Sequence, residues 1–445
     1  MYWFIILFPL MIYPWGFDPY YTTTKANYLY IFVLLAWIYL LFTRKYRNLI
    51  PRKDDSKVEI GLLILFLFLV EISVVISNYT YTSIHGLVDR KEGLISFFSY
   101  CSIFLFSYRF MDEKRLDKVL SGMAIVSIFV SIYGILQHYS LDFLPRNSSL
   151  RNYTGTYTFF DNPNFFGSYL VLALLITVPL FLTAKNKKYE TLYFSAITLA
   201  FISLIFSNTR SGYLGVFFGV VFVSVFVVLK QRDLWRKWTR LFATLALILI
   251  LINITEKGHY FNRISSVVTE SYSVATNQGT GHEGSSRLFI WQNSLPLIKD
   301  YFWFGSGPDT FPFIFKSTSD ERQRYFGTSS INVDKAHNEY LQLAITLGTP
   351  ALLTYLLFLI FILLKAFKAA KVTYGRERIL MYGLIGTIGG YLVQAFFNIS
   401  TVPVAPIFWA VLGITLFKSS SIIKRQLEEN SLDEDRDFHE KDQIA

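Results

Sequence analysis

Twelve blocks of apolar residues, separated by short polar turns and one long polar segment, limit what this chain can become. They lie at residues 2–13, 28–42, 58–76, 94–108, 119–139, 168–183, 192–206, 213–229, 241–254, 340–364, 379–397 and 404–417. A helix needs about 20 apolar residues to cross the hydrocarbon of a bilayer, and inside lipid it must satisfy its own backbone polar groups. The pattern predicts an all-α polytopic membrane protein of about 12 transmembrane helices, with a large extracytoplasmic loop before helix 10. The first block is short and holds Pro9, with Pro14 just beyond it, so it is expected to span tilted or distorted. Only 17% of the residues are charged, against about 25% in soluble domains.

The net charge of +10 is a topology signal, because the basic residues cluster in short loops. If the blocks alternate across the membrane, the set of loops that includes both termini holds 28 of the 42 Lys and Arg residues. Of the other 14, eight fall in the long polar segment, which the charge rule hardly governs. The termini are therefore expected in the cytoplasm and the long segment outside. The chain divides into helices 1–9 (residues 1–254), an extracytoplasmic loop domain (255–338), helices 10–12 (339–417) and a charged cytoplasmic tail (418–445) that reads as disordered. No nucleic-acid motif competes with this reading. The single cysteine, Cys101, allows neither an intrachain disulfide nor a thiolate metal site. The start, Met1-Tyr2-Trp3-Phe4, lacks a basic region, so no cleaved signal peptide is expected.

The polar residues that stand out fall on the outer face. Arg210 sits in the tight turn Asn208-Thr209-Arg210-Ser211-Gly212 between two spans. It reads as a snorkelling interfacial arginine or as an anion site, since a guanidinium grips phosphate oxygens in pairs. Arg287 falls in the first turn of a helix predicted to start with Ser285 or Ser286 as N-cap, with Leu288, Trp291, Leu295 and Ile298 near one face. The alternatives there are a solvated arginine and an anion held at a helix N-terminus. His337 stands where the long polar segment meets the tenth block. A helix N-terminus lowers a histidine's pKa and keeps it a base at neutral pH. An interfacial or capping histidine is the structural alternative. The residue at i+4 is Leu341, so the helical zinc spacing is absent and no metal site is expected. Glu71 lies inside the third block, where an acid has the option of orienting an arginine. The aromatic and amide-rich loop around Asp161-Asn162-Pro163-Asn164 is either an interfacial turn or a sugar contact.

Four stretches in order resemble the O-antigen ligase and polymerase superfamily of bacterial membrane glycosyltransferases. They are Asp161-Asn162-Pro163-Asn164, then Thr209-Arg210-Ser211-Gly212, then Ser286-Arg287-Leu288 with Trp291 and Gly305-Ser306-Gly307, and last His337-Asn338-Glu339-Tyr340-Leu341 with Gly348. The resemblance implies a donor glycan on undecaprenyl pyrophosphate at the outer face of the cytoplasmic membrane, and a glycan, lipid or protein acceptor. It implies that Arg210 and Arg287 hold the pyrophosphate and that His337 activates the acceptor hydroxyl, with Asn338, Asn162, Asn164 and Glu71 in support. It implies an inverting, metal-independent reaction with no cofactor. Membrane lipids surround such a protein, and a chain-length regulator is a candidate partner. The chain departs from the family where an acid often precedes the glycine of the histidine motif, since Thr346 stands there. That departure favours a surface-polysaccharide polymerase over an O-antigen-type ligase or a protein O-oligosaccharyltransferase. A flippase is the rival from another class, but the chain has no internal repeat and little intramembrane charge.

Overall fold

The computed structural model describes residues 2–13, 21–49, 56–144, 154–276 and 282–444. Among these the regular elements are all helices, with no strand. In chain order they are α1 (Tyr2–Leu7), α2 (Tyr21–Phe42), α3 (Lys57–Ile76), α4 (Thr80–His85), α5 (Leu94–Arg109), α6 (Glu113–His138), α7 (Pro163–Thr183), α8 (Lys187–Phe206) and α9 (Arg210–Phe226). Then follow α10 (Trp235–Thr255), α11 (His259–Ala275), α12 (Glu283–Asp300), α13 (Phe311–Ile314), α14 (Ser319–Phe326), α15 (Glu339–Thr346), α16 (Thr349–Val372), α17 (Gly375–Ala395) and α18 (Ala405–Ile444). Asp18, Pro14, Arg52, Lys53, Arg146 and Arg151, which the sequence places in turns and loops, lie outside the described residues.

Among the described residues, eight helices are long and apolar enough to cross a membrane: α2, α3, α6, α7, α8, α10 with the turn before it, α16 and the first part of α18. Helices α5 and α9 are apolar but shorter. The protein is a polytopic helical membrane protein. α7 forms its centre, buried along the whole span. α17 packs against α7 and α9, and α18 against α5. The α9–α17 contact is close because it has no side chain: a Cβ on Gly215 would stand 2.6 Å from the Gly390 carbonyl oxygen. In lipid, helices associate through such small-residue contacts, since apolar burial alone gives no drive there.

Three elements differ from the sequence reading, each for a local reason. The first block is a six-residue helix followed by a tight turn at Phe8–Leu10, which holds Pro9. Lys25 lies buried inside α2, and its Nζ donates to the carbonyls of Phe8, Pro9 and Met11 at 3.2, 2.9 and 2.9 Å. It thereby satisfies the acceptors that the broken helix leaves open. The tenth block is two helices, α15 and α16, parted at Gly348. Gly348 has φ +92°, and a Cβ there would lie 2.5 Å from the Trp303 carbonyl oxygen. The tail expected to be disordered continues α18 as helix to Ile444. Its root is held by Lys418 to Glu113 and Glu377 at 2.7 and 2.6 Å, and Lys424 and Glu428 sit one turn apart at 3.8 Å.

The bundle has two distinct ends. At one, Arg376 pairs with Asp117 at 2.9 Å, Arg240 with Glu190 at 2.5 Å, and Lys365 with Ser56 at 2.6 Å. These contacts bring together loops of the set that charge counting grouped with the termini. The other end carries the turns before α7, α9 and α15 and the helices α11 to α14. There Thr209 Oγ1 donates to the Pro163 carbonyl at 2.9 Å, and Asn398 Nδ2 to the Asn164 carbonyl at 3.3 Å.

Candidate active site

His337 precedes α15. Asn338 is the N-cap, with its side-chain oxygen accepting the Leu341 N–H at 3.0 Å. The strand of backbone that carries the histidine is fastened on three sides. The Ala336 N–H donates to Gln342 Oε1 at 2.9 Å, and Trp291 Nε1 of α12 donates to the Ala336 carbonyl at 2.9 Å. Two residues earlier, Asp334 accepts from Arg90 at 2.5 Å. His337 itself takes a left-handed backbone, φ +50°. Its Nδ1 is buried and has no hydrogen-bond partner among the described residues.

Burial pushes the His337 pKa well below the usual value, and the positive charges of Arg287 and Lys335 push it further. The imidazole is therefore neutral at pH 7. Desolvation and the two neighbouring cations both disfavour the charged imidazole, beside the helix N-terminus expected to do so.

Arg287 lies in the first turns of α12, near enough to act on His337 electrostatically. The helix starts earlier than expected, at Glu283 with His282 as N-cap, and its beginning is irregular: Gly284 and Ser286 both have positive φ. Ser286 is not the cap. Its Oγ donates to the Tyr325 carbonyl at 2.6 Å, and Phe289 stacks on Tyr325 at 4.2 Å, which docks α12 on α14. Of the expected apolar face, Trp291 and Ile298 pack against the local core while Leu295 is 59% exposed, and Phe289 and Ile290 add buried anchors.

Arg210 is the first residue of α9. Its Nη1 lies 2.8 Å from both carboxylate oxygens of Glu270 in α11. The same carboxylate accepts the Gly284 N–H at 2.6 Å. A Cβ on Gly284 would touch the stem of Arg287 at 3.4 Å. Glu270 thus joins the start of α9 to the start of α12, three residues before Arg287. Three helix beginnings, those of α9, α12 and α15, present Arg210, Arg287 and His337 at one end of the bundle.

The supporting residues divide. Asn338 and Asn162 serve as helix caps, Asn162 accepting the Asn164 N–H at 2.8 Å. Asn164 gives its carbonyl to Asn398. Glu71 lies on the exposed face of α3, and no arginine pairs with it among the described residues. Thr346 is buried at the far end of α15, and its hydroxyl donates to the Gln342 carbonyl at 2.7 Å.

Residues the sequence reading passed over complete the site. Arg90, almost fully buried, pairs with Asp309 at 2.8 Å and with Asp334. Asp309 also accepts the Leu87 N–H at 2.6 Å. One guanidinium therefore ties the turn after α4 to the Gly305–Gly307 loop and to the segment bearing His337. Lys335 is 12% exposed, with Nζ 3.2 Å from Asp334 and 5.9 Å above the Phe165 ring of α7. It is a third cation near His337, and its place two residues before the histidine was the only signal available. Among the described residues no three His, Cys, Asp or Glu side chains gather as metal ligands.

One end of the bundle thus brings a neutral imidazole and several cations together where three helices begin. Residues 194–356 match the family described as O-antigen ligase, and this stretch of the chain is similar to that family. The matched segment holds Arg210, Arg287, His337 and Gly348, while the Asp161–Asn164 loop lies before it. No curated protein matches the chain. The match supports an O-antigen ligase type of function in the broad sense.

Proposed function

We propose that this protein transfers lipid-pyrophosphate-linked glycan units at the outer face of the cytoplasmic membrane, and that it is a surface-polysaccharide polymerase. One observation carries this reading: a histidine held neutral stands beside Arg287, with Arg210 joined to the same corner through Glu270 and Gly284. In the proposed reaction the acceptor hydroxyl gives its proton to the His337 imidazole while its oxygen attacks the anomeric carbon of the donor sugar. The bond from that carbon to the pyrophosphate oxygen breaks, and the undecaprenyl pyrophosphate leaves with the electron pair. Arg210 and Arg287 meet the charge that grows on the leaving group, which is where a preorganised cation lowers the barrier. Direct displacement inverts the anomeric centre. No protein residue holds the glycan covalently, and no metal or cofactor takes part.

Arg210 reaches the pyrophosphate by exchanging partners, since its guanidinium is held by Glu270 before substrate binds. The outer location rests on the charge asymmetry of the two loop sets, which favours the basic end as cytoplasmic. The polymerase reading, over a ligase or a protein O-oligosaccharyltransferase, rests on Thr346, whose hydroxyl is spent on its own helix.

Purified protein supplied with a lipid-pyrophosphate-linked repeat unit in detergent micelles, with no sealed compartment, tests this reading. Growth of a glycan ladder supports a polymerase. Transfer only when a lipid-core or protein acceptor is added assigns the ligase or protein-transferase branch instead. Movement of intact units across sealed vesicles without bond formation makes it a transporter.

A further inference from the structure

The basic end of the bundle holds a groove of about 1170 Å³ that the glycan chemistry does not use. It runs between α1, α6 and the α7–α8 turn. Its walls are apolar and open: Leu7, Ile125 and Phe129 are 41%, 39% and 59% exposed, and Trp3 stands at the lip with 73% exposed. Its rim is cationic. Arg376 is paired with Asp117 and Arg115 with Asp112, but Lys118 and Lys185 meet no carboxylate among the described residues. The walls have a definite depth. From Lys118 to Phe129 α6 rises about 16 Å, roughly half of the ~30 Å hydrocarbon core and so the depth of one leaflet.

We propose that this groove is a binding site for a single anionic phospholipid of the leaflet at the basic end. Its phosphate lies against Lys118 and Lys185, and an acyl chain runs along Leu7, Ile125 and Phe129. The two open lysines argue for an anionic headgroup, because a zwitterionic one brings no net charge to complement theirs.

Trp3 supplies a probe within the groove. The full chain is reconstituted in phosphatidylcholine nanodiscs holding a small fraction of phosphatidylglycerol, with bromine on the acyl chains of one lipid or the other. The Trp3 signal is the difference between wild type and Trp3→Phe. We expect brominated phosphatidylglycerol to quench Trp3 about fivefold more effectively, at equal mole fraction, than brominated phosphatidylcholine, in line with the attraction of a lysine to anionic lipid. Lys118→Gln/Lys185→Gln should remove that preference, and so should high salt. Equal quenching by the two lipids means adventitious boundary lipid only and overturns the proposal. A preference that survives the double substitution overturns the assignment of the two lysines. If the double variant is poorly inserted, Lys185→Gln alone, on an exposed turn, carries the same comparison.

Discussion

Arg210 and Glu270 meet at 2.8 Å between the first residue of α9 and the body of α11, and the same carboxylate holds the Gly284 N–H at 2.6 Å. The arginine proposed to bind pyrophosphate is thus paired before the donor arrives, and on that proposal donor binding displaces a carboxylate. Both side chains are partly exposed, 19% and 29%. The competition is then worth about 1 kcal/mol, at the upper end for exposed pairs. Glu270→Gln, which keeps an acceptor for Gly284 but drops the charge, should lower the donor KM about fivefold with little change in kcat. Steady-state kinetics with donor as the varied substrate checks this. A raised KM would make Glu270 an anchor of α12 and not a competitor.

Arg90 is the structural keystone of the site, since breaking a buried pair leaves charges stranded. Arg90→Met removes the partner of two carboxylates and should cost about 3–5 kcal/mol, seen as a large drop in the detergent melting temperature. Adding Asp309→Asn and Asp334→Asn should recover a good part of the loss. If the triple variant melts no higher than Arg90→Met, the carboxylates are not what the arginine stabilises.

The His337 pKa is below 6.5 in the folded protein. The unfolded chain takes up a proton at about 6.5 and the folded one only at lower pH. The protein therefore loses stability as pH falls from about 6.5 toward the folded value. With His337 as the proposed base, activity should have its acid limb at that lower value, because the neutral form takes up the proton. Lys335→Gln removes a charge that repels the proton and should move the acid limb to higher pH. Asp334→Asn removes a charge that attracts it and should move the limb lower. The pH–rate profiles of both variants check the sign of each shift.

Gly348 separates α15 from α16 in a conformation that side chains rarely adopt. Gly348→Ala places a methyl group against the Trp303 carbonyl and strains the backbone by about 1–3 kcal/mol. We expect a lower melting temperature and reduced activity, while Gly61→Ala, with open space around it, leaves both unchanged.

Much of the architecture was legible because lipid makes hydropathy decisive. Charge counting grouped the basic loops that Arg376, Arg240 and Lys365 then join at one end. Gly348 was not readable as a break, since a glycine in a long apolar run looks the same in a continuous helix. The tail misled because its polar composition hides i,i+4 pairs such as Lys424 and Glu428. In the site, the helix-starting positions marked Arg210, Arg287 and His337. Their partners left no local trace. Glu270 is 60 positions from Arg210, and Asp309 and Asp334 are 219 and 244 from Arg90. Only the fold brings such pairs together.

The most direct test measures glycan transfer by purified wild type and by Arg210→Ala, Arg287→Ala and His337→Ala, each shown to be membrane-inserted and folded. Loss of a general base costs about 10²–10⁴-fold, so His337→Ala should fall at least a hundredfold in kcat. The two arginine variants should lose transfer mainly through weaker donor binding and slower departure of the pyrophosphate. Undiminished transfer by all three variants would contradict the account.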